Sequence, residues 1–124
     1  MRDAVVTTIA GFPAALTVVP TYGSAIRLYT VPDLERRVDR AALLRGDVEP
    51  PYWAYLWSGS RCLTDYLTRW ADLRGRRVLE IGCGLGLAGI AAARTGADVV
   101  FVDAALPALA FVRASLRANG LTGA

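Results

Sequence analysis

The chain has 124 residues, enough for one small domain rather than two, and 54% of them are hydrophobic, which favours a packed core over disorder. It contains no His and no Lys, so its 14 basic residues are all Arg. With 11 acidic residues, its formal net charge is +3. Without His, the chain cannot perform Ser-His-Asp or Cys-His catalysis, and no metal site is predicted, since two Cys cannot hold zinc alone. The arginines are scattered rather than gathered in a stripe, which argues against a nucleic-acid partner.

The chain carries no clear targeting or membrane signal. An apolar stretch at residues 4–19 is interrupted by Gly11 and Pro13, and no cleavage site of a signal peptide follows it. No run reaches the ~20 apolar residues of a membrane span, so no membrane partner is predicted. Cys62 and Cys83 lie in segments typical of a cytosolic protein and are expected to be free thiols. The sequence therefore predicts a cytoplasmic protein.

Residues 1–50 are predicted to form an irregular N-terminal extension. Glycine, proline and serine separate three short β-like runs, at residues 4–9, 16–19 and 25–30. A helix is predicted from Leu34 to Leu44, with Gly46 ending it.

Residues 51–124 are more regular and predict the N-terminal half of an α/β domain. Ser58 is a good N-cap for a helix over 59–70, with one apolar face made by Leu63, Tyr66, Leu67 and Trp70. Two buried strands are predicted at 77–81 and 98–102, and two helices at 87–95 and 108–118. Gly96 is expected to cap the first of these helices and Pro107 to open the second. Alternating strands and helices of this kind indicate a parallel sheet covered on both faces.

A glycine-rich loop follows the first predicted strand of this unit. Residues 80–86 read Glu-Ile-Gly-Cys-Gly-Leu-Gly, and glycines let a ligand approach the backbone without a Cβ clash. The amides at the start of the following helix can meet a polar group. Asp103 ends the neighbouring strand, where a carboxylate can accept hydrogen bonds from both hydroxyls of a ribose. The loop and Asp103 together indicate a nucleoside-containing cofactor.

Two cofactors fit this pattern. Gly84-x-Gly86-x-x-Gly89 matches the dinucleotide pattern G-x-G-x-x-G, and Asp103 follows at roughly the expected ~20 residues, which leaves an NAD(P)-binding oxidoreductase fragment as an alternative. S-adenosylmethionine (SAM) is favoured, because Glu80 stands before the first glycine of the loop, where it suits a cationic ammonium and would repel a pyrophosphate. A purely structural glycine turn and a non-catalytic partner or binding module remain further alternatives. Cys83 is interpreted as a small loop filler, since no base is present to activate it.

The sequence resembles a known enzyme family at three places. Residues 78–86 resemble motif I of the class I SAM-dependent methyltransferases, and Asp103 with residues 107–109 resembles their second-strand acid and the helix after it. Residues 51–60, Pro-Tyr-Trp-Ala-Tyr-Leu-Trp-Ser-Gly-Ser, resemble the P-x-W-x-x-x-W-x-G element of the seven-β-strand protein-lysine methyltransferases, among them the electron-transfer-flavoprotein β-subunit lysine methyltransferases. The resemblance covers about residues 50–120 and implies a Rossmann-like fold, SAM as cofactor and a protein lysine as methyl acceptor.

The resemblance also implies roles for individual residues. It assigns the methionine end of the SAM site to Glu80, Gly82, Gly84 and Gly86, and the ribose to Asp103. It assigns the upstream wall of the pocket to Trp57, Ser58 and Gly59.

Methyltransferases of this kind continue for several more strands. The chain is therefore expected to be the front part of the fold, truncated after the second βα unit and inactive when isolated. No catalytic residue is assigned, because the family places its substrate-facing motif in those later strands. A two-stranded sheet leaves apolar edges and faces bare, so self-association or a complementing chain is expected to cover them.

Overall fold

The computed structural model describes residues 6–121. In chain order the elements are β1 (Val6–Ile9), β2 (Phe12–Val19), β3 (Ile26–Thr30), α1 (Arg40–Arg45), α2 (Ser58–Trp70), β4 (Arg77–Ile81), α3 (Leu87–Arg94), β5 (Asp98–Val102) and α4 (Leu106–Ala118), with 3-10 turns at Leu34–Arg37 and Tyr52–Ala54. Strands β1, β2 and β3 form an antiparallel sheet in that order, and β4 pairs with β5 in parallel. The predicted α/β class, with the parallel strand pair of a Rossmann-like unit, is confirmed. None of the helices in residues 6–121 is both long and apolar enough to span a bilayer.

The antiparallel sheet begins with a tight hairpin that the sequence did not reveal. Ala10 and Gly11 both have positive φ, 50° and 81°, and they connect Ile9 to Phe12, which lie opposite each other. Two-residue hairpin turns favour such backbone angles because their twist matches that of the strands. The prediction that the second strand starts at residue 16 was therefore wrong, since Gly11 and Pro13 belong to a turn and a strand, not to a loop. Residues 4 and 5 of the first predicted strand lie outside the described residues.

The single helix predicted over residues 34–44 was also wrong. The chain forms a 3-10 turn at Leu34–Arg37 and then a separate helix, α1. Asp39 is extended between them, and its carboxylate accepts a hydrogen bond from the Ala42 amide at 3.0 Å. An aspartate stabilises a helix more as its N-cap than in its interior, because it satisfies an otherwise unpaired amide. Gly46 ends α1 with φ 75°, as predicted.

Strands β4 and β5 have the predicted bounds, but only one of their faces is covered. Arg77 lies opposite Asp98, and Ile81 lies opposite Val102. Helix α3 packs on the face that carries Glu80 and Phe101, with Gly89 against both side chains. The other face is 43–76% exposed at Leu79, Ile81, Val100 and Val102, because none of the elements in residues 6–121 covers it. The covered face fits the α/β pattern, and the bare apolar face is the one expected of a two-stranded sheet. Its cover by a second copy or a complementing chain stays a prediction.

Helix α2 packs through a different side from the predicted one. It begins at Ser58, and Trp57 occupies the N-cap position, so the predicted cap at Ser58 was wrong by one residue. Leu63, Tyr66 and Trp70 are 48–73% exposed, whereas Thr64 is fully buried on the side of α2 that faces α3. The periodicity of α2 identified an apolar face correctly. That face is exposed because α2 packs on α3 through the side that carries Thr64.

The two sheets share one hydrophobic core. Ile26 and Leu28 of β3 are fully buried with Ile90 of α3 and Phe111 of α4. The amide of Tyr29 donates a 2.9 Å hydrogen bond to Ser115 Oγ, which attaches the free edge of β3 to α4. This hydrophobic core contains residues from both sides of the predicted domain boundary between residues 50 and 51. That boundary stays a prediction.

Candidate functional site

A cavity of about 460 Å³ lies at the carboxyl ends of β4 and β5. Three segments line it: the glycine loop with the start of α3 (82–87), the loop after β5 (103–105), and upstream residues between 49 and 60. These upstream residues include most of the aromatic segment (51–57). The volume is in the range of small-molecule sites, and the carboxyl ends of parallel strands are where open α/β sheets bind ligands. The structure therefore brings the glycine loop, Asp103 and the aromatic segment together around one cavity.

The glycine loop owes its shape to the absence of side chains. Gly84 and Gly86 have φ values of 53° and 79°, which side-chain-bearing residues rarely adopt. A Cβ on Gly84 would lie 3.1 Å from the carbonyl oxygen of Trp53, and a Cβ on Gly86 would lie 2.7 Å from Val112 Cγ2. The loop can thus pack closely against the aromatic segment and α4 while its backbone lines the cavity.

Asp103 connects the loops that follow the two parallel strands. Its Oδ2 accepts a hydrogen bond from the Gly84 amide at 2.8 Å, and its Oδ1 accepts one from the Ala105 amide at 2.8 Å. Each carboxylate oxygen has a second lone pair, so the group can still accept hydrogen bonds from a ligand in the cavity. Asp103 lines the cavity, and its role as the ribose acceptor stays a prediction.

The two tryptophans of the upstream segment have different surroundings. The Trp53 ring makes edge-to-face contacts with Phe12 and Phe111, both at 5.2 Å between ring centroids, and so joins β2 to α4. Trp57 is 50% exposed, and its Nε1 donates a 3.0 Å hydrogen bond to the carbonyl oxygen of Tyr52. Both residues line the cavity, but Trp53 also packs against the core, whereas Trp57 packs against Tyr52 and Tyr55 and stays half exposed.

Two predicted wall residues do not reach the cavity, and others were missed. Ser58 and Gly59 are exposed at the start of α2, outside the lining, whereas Ser60 lies in it. Ser60 could have been found, because it lies in the segment 51–60 that resembles the family's upstream element. Glu49 was also missed, and no motif marks it. The cofactor roles of Ser58 and Gly59 stay predictions.

Glu80 lies beneath the glycine loop rather than in the cavity wall. Its side chain points toward α3, where Gly89 leaves room for it, and its Oε2 is buried without a hydrogen-bond partner. Burial raises the pKa of Glu80 from 4.5 to about 7, and the nearby Gly89 amide offsets this rise only in part. Contact between Glu80 and a cofactor stays a prediction.

Cys83 has the surroundings of a structural residue. It is buried in the loop, and burial, with the charges of Glu80 and Asp103, raises the pKa of its thiol to about 12. A protonated thiol is a poor nucleophile, which supports the interpretation of Cys83 as a loop filler; that role stays a prediction. Cys83 and the exposed Cys62 are both free thiols, as predicted.

The charged side chains that line the cavity are acidic. Among the described residues that line it, the charged ones are Glu49 and Asp103, and none is basic. An anionic pyrophosphate would meet two carboxylates there, whereas a cationic ligand would be attracted.

Comparison of the sequence with known proteins finds similarity to protein methyltransferases. The chain is 43% identical over 54 residues to the electron transfer flavoprotein beta subunit lysine methyltransferase of Danio rerio, a match covering 43% of this chain and 21% of that protein. It is 42% identical over 67 residues to protein N-lysine methyltransferase METTL21A of Danio rerio, covering 53% of this chain and 30% of that protein. It is 40% identical over 72 residues to histidine protein methyltransferase 1 homolog of Dictyostelium discoideum, covering 57% and 23%.

The chain thus spans less than a third of the length of these relatives. The predicted resemblance to the protein-lysine methyltransferases is confirmed. The sequence profile of one family, the methyltransferase small domain, matches residues 53–124, which include the aromatic segment from Trp53 onward, the glycine loop and Asp103. Since the profile matches more than half of its residues, the chain belongs to the methyltransferase small-domain family.

Proposed function

We propose that the cavity binds SAM and that the protein transfers the methyl group of SAM to a lysine side chain of a protein acceptor. The observation that carries this proposal is the acidic cavity at the carboxyl ends of β4 and β5, which combines a close-packed glycine loop with Asp103. Family membership makes SAM the cofactor to expect, and the residues of the cavity fit it.

The ribose and the positively charged groups of SAM have chemical counterparts in the cavity. The carboxylate of Asp103, held by the Gly84 and Ala105 amides, is oriented to accept hydrogen bonds from ribose hydroxyls. Trp57 offers an apolar, partly exposed ring to the cofactor. Glu49 and Asp103 give the cavity a negative potential that suits the ammonium and sulfonium charges. SAM supplies the chemistry, a methyl group on a positively charged sulfur, and the protein positions the reactants and excludes water.

The same features argue against the dinucleotide alternative. A pyrophosphate in the cavity would face the carboxylates of Glu49 and Asp103, with no basic residue among the described lining residues. Gly89, the last glycine of the G-x-G-x-x-G match, lies inside α3 against Glu80 and Phe101, where it lets α3 approach β4 and β5. The last glycine of a dinucleotide site has the same packing role, so Gly89 does not separate the two cofactors.

The acceptor is inferred from the relatives. Their names specify methylation of lysine or histidine on proteins, which supports a protein acceptor for this chain too. Both cysteines are free thiols, which fits a reducing compartment, so we place the protein in the cytoplasm.

Calorimetric titration of SAM and S-adenosylhomocysteine into the chain tests the cofactor. We expect Asp103→Asn to weaken binding at least about tenfold, since a hydrogen bond to a charged group contributes roughly 1.5–3 kcal/mol. Asp98→Asn, at the opposite end of β5, is the matched control and should bind as the unaltered chain does. A folded chain that binds neither compound, or that binds NADH without competition from S-adenosylhomocysteine, would overturn the proposal.

A further inference from the structure

A second cavity adjoins the first and has no role in the site described above. This groove, of about 450 Å³, lies between the segment that ends β3 and enters the 3-10 turn (30–36) and the residues just before α2 (54–56). Tyr55 and Leu56 line both the groove and the cofactor cavity. The two spaces are therefore separated by one layer of side chains.

The groove has an apolar floor and a charged rim. Val31 and Ala54 are 6% and 5% exposed, and Leu34 is half-buried between them and the solvent. Asp33, Glu35 and Arg36 line the groove with exposed side chains. Within residues 6–121, a salt bridge forms between Arg45 and Asp47. Neither Asp33 nor Glu35 forms a salt bridge with an arginine of that range. Such a groove suits a guest with an aliphatic stem and a polar end.

The charge along the path from the cofactor cavity to the groove is opposite to that of the whole protein. The chain as a whole has 14 basic residues and 11 acidic ones. The lining of the two cavities contains four acids, which are Asp33, Glu35, Glu49 and Asp103, and one base, Arg36. This local reversal favours a cation over an anion as the guest.

Tyr55 lines three neighbouring spaces: the cofactor cavity, the groove and a depression of about 560 Å³ beyond the groove. Arg40 and Leu43 of α1 also line the depression. The 3-10 turn before Tyr55 holds its backbone in place through a hydrogen bond from the Tyr55 amide to the Tyr52 carbonyl oxygen at 3.3 Å. A chain lying in the groove and the depression would pass Tyr55 on its way to the cofactor cavity.

We propose that this groove holds the lysine-bearing segment of the protein acceptor, with the lysine stem on the apolar floor and its ammonium near Asp33 and Glu35 before transfer. The inference rests on the proposed function, because the groove is an acceptor site only if the adjoining cavity holds SAM. It assigns acceptor binding to the N-terminal part of the chain, where neither the motifs nor the relatives placed it.

The test uses two small probes with the isotope-labelled chain saturated with S-adenosylhomocysteine. Nα-acetyl-lysine methylamide carries the ammonium, and Nα-acetyl-norleucine methylamide has the same aliphatic stem without it. We expect the lysine probe to shift the amide resonances of Val31, Glu35 and Tyr55, with weak affinity, and the norleucine probe to bind less. The double variant Asp33→Asn, Glu35→Gln should weaken the lysine probe about fivefold, as expected for two exposed charge pairs. Asp65→Asn, an exposed acid on α2, is the control and should change nothing.

Separate calorimetry with S-adenosylhomocysteine distinguishes the two ways to fail. If S-adenosylhomocysteine binds normally but the lysine probe shifts no groove resonance, or the double variant binds it equally well, the groove assignment is wrong while the cofactor site stands. If S-adenosylhomocysteine does not bind the folded chain, the proposed function is wrong and the groove assignment falls with it.

Discussion

The glycine loop (82–86) and the aromatic segment (51–57) line the same cavity, but different forces hold them in place. The loop is shaped by backbone angles and by short-range bonds, such as the one from the Gly86 amide to the Cys83 carbonyl oxygen at 2.8 Å. The aromatic segment is held by side chains that come from far along the sequence, Phe12 and Phe111 around Trp53. Substitutions should therefore damage the loop through strain and the aromatic segment through lost packing.

The largest expected effect tests the packing of the aromatic segment. Trp53→Ala removes both edge-to-face contacts and opens the core between β2 and α4. We expect a loss of about 3 kcal/mol in the free energy of unfolding, near the lower limit for large aromatic residues because Trp53 is only partly buried. Urea denaturation followed by tryptophan fluorescence and circular dichroism measures it.

Trp57→Ala is the matched comparison. Because its ring is 50% exposed, the free energy of unfolding should change by less than about 1 kcal/mol, while S-adenosylhomocysteine binds more weakly. Equal destabilisation by the two substitutions would contradict the division between a core tryptophan and a cavity tryptophan.

The next effect tests strain in the glycine loop. Gly86→Ala and Gly82→Ala both place a side chain at positive φ, 79° and 66°, but only the first would press its Cβ against Val112. We expect Gly82→Ala to cost ~1 kcal/mol and Gly86→Ala to cost about 2–3 kcal/mol, since overpacking adds to the backbone strain. Thermal unfolding of the pair separates the two contributions, and similar melting temperatures would show that α4 yields to the new Cβ.

The smallest effect concerns Glu80, beneath the loop. Its pKa is about 7 in the folded chain and near 4.5 when exposed, so between these values the folded state keeps a proton that the unfolded state loses. Stability should therefore decrease as the pH rises from about 4.5 through 7, by ~1–2 kcal/mol after allowance for partial exposure.

Glu80→Gln should remove this decrease and make the protein more stable at pH 8 but not at pH 4.5, as measured by urea midpoints across that range. Glu35→Gln, at an exposed position, is the control that keeps the slope of the unaltered chain. An unchanged slope in Glu80→Gln would mean that another group produces the pH dependence.

Where residues adjacent in sequence decide the local structure, that structure could be predicted from the sequence. Strands β4 and β5 match their predicted bounds, because each is a short apolar run that ends where the loop or Asp103 begins. The glycines at positive φ and the acid after β5 follow from the same local pattern. These elements lie within the residues that the methyltransferase small-domain profile matches.

The features that the sequence could not predict depend on which helices, strands and loops pack against one another in the fold. Periodicity found the apolar face of α2, but only the packing of α2 on α3 decided that Thr64 is buried while Trp70 is 73% exposed. The motif placed Glu80 beside the loop, but the strand's alternation and the position of α3 turned its carboxylate into the protein. The groove beside Tyr55 joins residues 30–36 to residues 54–56, which no local pattern could bring together. Local chain chemistry determined the glycine loop, and the assembly of distant surfaces determined the direction of Glu80 and the space beside the cavity.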